Sequence, residues 1–243
     1  MTEIFSAEAW QKVWQFRGTF LLGLGTTVKL ALFGVLLALV IGIIVGLMST
    51  SGSRIWKVIG RIYVEFVQNT PLLLQICFLY YALAFSGHSM GILVTGIISL
   101  GVYHGAYCAE VIRAGIEAIP KGQFEAAQSQ GFNYLERMYY IILPQSMKII
   151  LPPMVNQVVN LVKNTSCLYI IGGADLISLT YSFVTGVNTG GAYAPAYLVS
   201  GLLFFIVCFP LSKIAGVWEA NLKRRDQRTV IKRSTRARLE GEV

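Results

Sequence analysis

The sequence predicts an all-α integral membrane fold of about five transmembrane helices, with a short helix outside the bilayer between spans three and four. Three observations predict it. The chain of 243 residues is only 13% charged, with mean hydropathy +0.61, whereas soluble domains carry roughly a quarter charged residues. Its apolar residues fall in long runs, and a bilayer core of about 30 Å needs about 20 helical residues. The runs are continuous rather than alternating, which argues against a transmembrane β-barrel.

The runs lie near 25–48, 62–85, 92–112, 149–171 and 196–218. They define one transmembrane domain over 1–222, followed by a basic tail over 223–243, with no room for a second globular unit. The first residues scatter Glu3, Glu8, Lys12 and Arg17 among aromatics. They lack the basic start and compact apolar centre of a cleavable signal, so the first run is expected to serve as the insertion signal. Cys77, Cys108, Cys167 and Cys208 all sit in apolar runs without CxxC spacing. They read as small buried hydrophobes rather than metal or disulfide partners.

Lys and Arg are distributed unevenly among the connections. Arg54, Lys57 and Arg61 lie between spans one and two, and Arg113, Lys121, Arg137 and Lys148 between spans three and four. Eight more follow the fifth span, from Lys223 to Arg238. The stretch 86–91 has none, and 172–195 carries only the charge of Asp175. Basic connections stay cytoplasmic, which predicts a multi-pass cell (inner) membrane protein with its N-terminus outside and its C-terminus in the cytoplasm. The tail fits contact with anionic membrane lipid rather than a nucleic-acid arm.

The polar stretch KGQFEAAQSQGFNYLERMYYIILPQ, from Lys121 to Gln145, separates spans three and four. Pro120 ends the preceding helix, about two turns follow over 123–130, and Gly131 suits the left-handed residue that closes a helix. Asn133 with Glu136 makes a capping-box start for a second helix leading to Pro144. Small residues at 126, 127 and 131 let such a helix seat in a groove of another protein. The alternative is an interfacial helix resting on lipid, which Glu125 and the sparse Lys/Arg weaken.

Glu125-Ala126-Ala127, Gly131, then Ile142-Leu143-Pro144 resembles the EAA motif of permease subunits of binding-protein-dependent ABC importers. EFVQNTPLLLQ (65–75), HGAYCAEVIRAGIEAIP (104–120) and LVKNTS (161–166) resemble the polar amino acid branch of that family, and the likeness runs from about Gly25 to Trp218. Gln68 stands where Arg is usual, and Asn164 where many members have Asp. The resemblance implies that Gln123, Glu125, Ala126, Ala127 and Gly131 couple the chain to a pair of cytoplasmic ATPase subunits. It also implies a second permease subunit, the same or related, and an extracellular or periplasmic amino-acid-binding protein. ATP and Mg would be bound by the ATPase. This chain lacks G-x-x-x-x-G-K-[ST], shows no catalytic constellation, and is expected to hold no cofactor.

Polar residues recur inside the runs. Glu65, Gln68, Asn69, Thr70 and Gln75 lie in the second, His104, Glu110 and Arg113 in the third, and Lys163, Asn164, Thr165 and Ser166 in the fourth. Such groups are costly in lipid and normally face a bundle interior or a pathway. Glu65, Asn69, Thr70, Gln75 and Lys163 through Ser166 are the candidates for a substrate path. For Glu110 with Arg113 a structural ion pair is expected, for His104 a hydrogen bond inside the bundle, and for Asn69-Thr70-Pro71 a kink. The functional expectation is ATP-driven import of a polar amino acid by alternating access, with glutamine, glutamate or aspartate favoured over cationic ones. The alternative, an ion-coupled secondary transporter or channel with protons relayed through Glu65, Glu110 and His104, would need an internal repeat. The two halves show no matching pattern.

Overall fold

A computed structural model describes residues 6–187 and 191–241, with side chains described as far as Leu222. The side chains of the basic tail, and with them its charges, therefore lie beyond the described side chains. Among these residues the secondary structure is entirely helical. The elements are α1 (Ala7–Gln15), α2 (Arg17–Thr50), α3 (Arg54–Gln68), α4 (Leu72–Phe85), α5 (Ile92–Glu117), α6 (Lys121–Ser129), α7 (Tyr134–Glu136), α8 (Leu143–Asn164), α9 (Leu176–Thr185) and α10 (Tyr193–Gly241). A π-helical turn, Arg137–Ile142, joins α7 to α8, and a 3-10 segment, Thr165–Ile171, follows α8.

Among the described residues, three helices are long and apolar enough to cross a bilayer alone: Arg17–Thr50, Ile92–Glu117 and Tyr193–Leu222. Two more crossings arise if each of two bent pairs is one span. Here the structure departs from five simple rods. The run near 62–85 is two helices, α3 and α4, bent by 98°. Pro71 cannot donate a backbone hydrogen bond, and the helix parts over Asn69 and Thr70. The Gln75 side chain staples the break, its Nε2 donating to Val67 O at 3.1 Å and Thr70 Oγ1 at 2.7 Å. The run near 149–171 is the end of a longer helical stretch from Tyr134, bent by 43° into α9.

The stretch 172–195, which reads as a bare loop, holds α9. Asp175 caps it, accepting from the backbone N–H of Ile177 at 3.1 Å and of Ser178 at 3.4 Å and from the Ser178 hydroxyl. These bonds satisfy helix-end donors in a fully buried setting. Thr27 of α2 accepts the next free donor, Leu176 N–H, at 3.0 Å. A single Asp in an apolar stretch was too little signal for a helix start.

The centre of the bundle is the pairing of α2 with α5, and glycine makes it possible. A Cβ on Gly42 would stand 2.5 Å from the Cβ of Cys108, and one on Gly46 2.9 Å from the Cβ of Ile112. From the opposite side, Cβ atoms on Gly101 and Gly105 would stand 2.5 Å from Leu37 and 2.8 Å from Ile41. Both G-x-x-x-G spacings thus face the partner helix, as close membrane packing requires. Leu30, Leu100, Leu161, Leu168 and Ile76 pack around the pair with almost no exposure. Cys77, Cys108, Cys167 and Cys208 are free thiols, buried or half-buried in apolar surroundings.

α1 adds an element that its short, mixed sequence does not announce. Ser6 caps it, Ala9 and Val13 face inward toward Phe20 and Phe183, and Trp10 and Trp14 stay exposed. Such tryptophans suit a membrane–water boundary.

Candidate functional site

α6 projects from the end of the bundle where α5 finishes. It starts after Pro120, whose fixed φ and missing donor suit a helix entry. It ends in a Schellman arrangement: Phe132 N–H donates to Ala127 O at 3.2 Å and Gly131 N–H to Gln128 O at 3.0 Å, with Gly131 at φ +86°. The turn leads into the Asn133–Glu136 capping box, both of whose bonds are present at about 3 Å.

α6 is held on one side only. Ala127 is 2% exposed and points into the chain's own core, so it anchors the helix. Phe124 lies half-buried under the Arg137 guanidinium, 5.8 Å from the ring centroid. Gln145 donates to Gln123 at 3.3 Å and Arg137 to Gln128 at 3.4 Å. Glu125, Ala126 and Gly131 are left exposed. The helix therefore presents small residues and one carboxylate outward on a firm seat.

A second feature begins beside α6. A cavity of about 500 Å³ opens between the ends of α2, α3 and α5, lined by Lys57, Arg61 and Arg113 together with Glu65, Glu110 and Glu117. Arg113 forks between Glu110 and Glu117, each at 2.5 Å, which is the expected structural ion pair extended by one more carboxylate. Glu65 pairs with Arg61 at 2.6 Å on an exposed surface, where such a pair contributes little to stability. Gln68 ties α3 to α5 by donating to Ala106 O at 3.4 Å.

Deeper along α5 lies a polar cavity of about 230 Å³. That is below the roughly 300–1,000 Å³ of drug-sized sites and matches a small metabolite. Tyr103, His104 and Tyr107 of α5 face Gln157, Asn160, Lys163 and Asn164 of α8 across it. His104 is 2% exposed, and its Nε2 lies 3.1 Å from Asn164 Nδ2. The Tyr103 and Tyr107 hydroxyls are 3.2 Å apart, with ring centroids at 5.1 Å. Tyr103, Tyr107, Glu110, Arg113 and Glu117 recur every three or four residues and so share one face of α5. This polar stripe joins the deep cavity to the charged one.

The path candidates are thus split among three places. Lys163 and Asn164 line the deep cavity. Glu65 lines the charged cavity. Asn69, Thr70 and Gln75 sit at the α3–α4 break, where their side chains bond to local backbone: Asn69 to Glu65 O at 2.7 Å and Thr70 to Phe66 O at 2.9 Å. Thr165 and Ser166 also turn back, to Val162 O and Lys163 O at 2.8 and 2.7 Å. Tyr103, Tyr107, Gln157 and Asn160 did not stand out in the sequence. Their signal was periodicity: 157, 160 and 164 are one polar stripe in an apolar helix, and 103 and 107 are one turn apart.

The family model described as "Binding-protein-dependent transport system inner membrane component" matches residues 38–224. The chain is 37% identical over 185 residues to the "Probable glutamine ABC transporter permease protein GlnM" of Bacillus subtilis (strain 168), covering 76% of this chain and 84% of that one. It is 32% identical over 197 residues to the "Putative glutamine transport system permease protein GlnP" of Rickettsia felis, covering 81% and 89%. Among solved structures, the "Crystal structure of an amino acid ABC transporter with histidines" superposes with TM-score 0.77 at 30% identity, over 85% of this chain and 95% of that one. A MetNI methionine ABC transporter structure matches at TM-score 0.62 and 16% identity, which speaks for the fold alone. By the span of the family match and the identity to these relatives, the chain belongs to the inner membrane components of binding-protein-dependent transport systems.

Proposed function

We propose that the chain is the membrane-spanning subunit of an ATP-driven importer of polar amino acids, glutamine among them. The observation that carries this reading is α6, anchored by Ala127 and Phe124 yet offering Glu125 and Ala126 outward. It is built as the contact through which a cytoplasmic ATPase pair moves the bundle. The bundle end from which it projects is the cytoplasmic one, in keeping with the basic connections. A receptor for the amino acid docks on the opposite face, and a second permease subunit completes the path. The names of the relatives and of the solved amino acid transporter support the substrate class.

The deep cavity offers what a zwitterion needs. Lys163 is a cation for a carboxylate, the faces of Tyr103 and Tyr107 suit an ammonium, and the amides of Gln157, Asn160 and Asn164 both donate and accept. From there the α5 stripe runs through Glu110 and Arg113 toward α6, a polar exit to the cytoplasm.

The test is stimulated ATP hydrolysis by the assembled complex in vesicles. Glu125→Lys reverses the charge on an exposed helix surface, so the variant should insert and fold normally. A charge misplaced at a docking contact costs about 2–5 kcal/mol. Receptor-stimulated hydrolysis and glutamine uptake should therefore fall at least tenfold. Full stimulation in this variant would remove α6 as the coupling element.

A further inference from the structure

His104 is buried within the bundle, and of its two ring nitrogens only Nε2 has a hydrogen-bond partner, Asn164. Its other neighbours are the rings of Tyr103 and Tyr107 on its own helix and the side chain of Gln157 across the cavity. The partner atom on Asn164 is Nδ2, which only donates. With the amide in this orientation Nε2 supplies the lone pair, and the neutral ring carries its proton on Nδ1. One edge of the Asn164 amide is engaged in this way. Among the described residues no hydrogen bond engages the opposite edge, Oδ1, and Asn164 lines the cavity.

We infer that His104 is a specificity-determining positioning residue: it holds the Asn164 amide so that an acceptor, Oδ1, meets the substrate, which selects a carboxamide side chain over a carboxylate. The inference rests on the deep cavity being the substrate path. A carboxamide N–H can donate to Oδ1, while a carboxylate there places two sets of lone pairs against each other. An unrestrained asparagine would not discriminate, because rotation of its amide exchanges donor for acceptor. Histidine prevents the rotation from the α5 side of the cavity, acting on the substrate side chain through Asn164. Lys163 remains for the α-carboxylate common to all amino acids, so it adds attraction without choosing among side chains.

The test is direct binding of labelled glutamine and labelled glutamate to the permease–ATPase complex in nanodiscs, without the external receptor, whose own choice is thereby removed. The wild type should bind glutamine more tightly. His104→Leu should lower the glutamine-to-glutamate affinity ratio about tenfold, the weight of one neutral hydrogen bond. His104→Met is measured beside it, so that the result does not hang on one apolar replacement. His104→Gln, whose Oε1 can accept from Asn164 Nδ2, should restore most of the ratio, which a loss of packing alone would not allow. A wild-type preference for glutamate overturns the inference. So does an unchanged ratio in the assembled Leu and Met variants, or a Gln variant as unselective as they are. Asn164→Leu separates the two levels. If it weakens glutamine binding while the His104 variants keep the ratio, the path stands and only the role of His104 falls. If it alters neither ligand, the cavity is not the path and both readings fall.

Discussion

At the scale of single residues, Asn164 stands out because sequence and structure single it out for different reasons. It occupies a place where many members carry Asp, and it lines the deep cavity with its amide on His104. An amide offers no charge to a cationic side chain, and burying a cation without an acidic partner is costly. Asn164→Asp should therefore raise arginine uptake relative to glutamine in reconstituted vesicles, by about tenfold for an effect near 1.4 kcal/mol. An unaltered ratio would remove Asn164 as the residue that discriminates charge. Glu65 illustrates the opposite case. Its carboxylate reads as costly at membrane depth, yet it lies exposed beside Arg61 at the mouth of the charged cavity. Sequence supplied the residue type, and the turn of α3 supplied its neighbour.

At the scale of elements, the α2–α5 pair makes a prediction whose sign opposes intrinsic propensity. In a free helix Gly→Ala stabilises by up to about 1 kcal/mol. Gly42→Ala should instead destabilise by about 1–3 kcal/mol, because the new Cβ meets Cys108 at 2.5 Å within a packed core. Gly25 is the control on the same helix, with nothing within 4 Å of its Cβ position, and Gly25→Ala should be neutral or stabilising. Thermal unfolding of the two variants in detergent, followed by tryptophan fluorescence, checks this. If Gly42→Ala melts at or above the wild-type temperature, the close approach of the helices is not as described. The α6–α7 turn was the most legible element of all. Gly131 as a left-handed stop and Asn133–Glu136 as a capping box are local chemistry, and both are present. The break between α3 and α4 was half legible. Pro71 announces a kink, but neither its 98° size nor the Gln75 bonds that cross it can be read from the sequence.

At the scale of the whole molecule, counting each bent pair as one span gives five crossings, and an odd number would place the ends of the chain on opposite faces. On the proposed orientation, α6 and the charged cavity face the cytoplasm and 86–91 lies outside. A cysteine at Ser89, in a background without Cys77, Cys108, Cys167 and Cys208, should react with an impermeant thiol reagent from outside. One at Gln128 should react only after the cytoplasmic face is opened. Labelling of Gln128 in intact cells would invert the topology and remove the ATPase from α6. Both positions are exposed, so failure to react reports sidedness rather than burial.

What the sequence determined by itself were the properties that depend on neighbours along the chain. Apolar run lengths called for membrane helices, Lys/Arg placement called for an orientation, and a Gly stop with an Asn–Glu start called for a short helix between spans three and four. The residues 125–127, 131 and 142–144 carried the family likeness. The tertiary structure decided whatever depends on residues far apart in the chain. It joined His104 to Asn164 across sixty positions and divided the path candidates among two cavities and a break. It also turned Ala127 inward as an anchor and built α9 around a buried Asp175. The physical reason is that hydrogen-bond partners and packing neighbours at membrane depth are set by how helices cross. A one-dimensional pattern records the face of each helix but not which other face it meets.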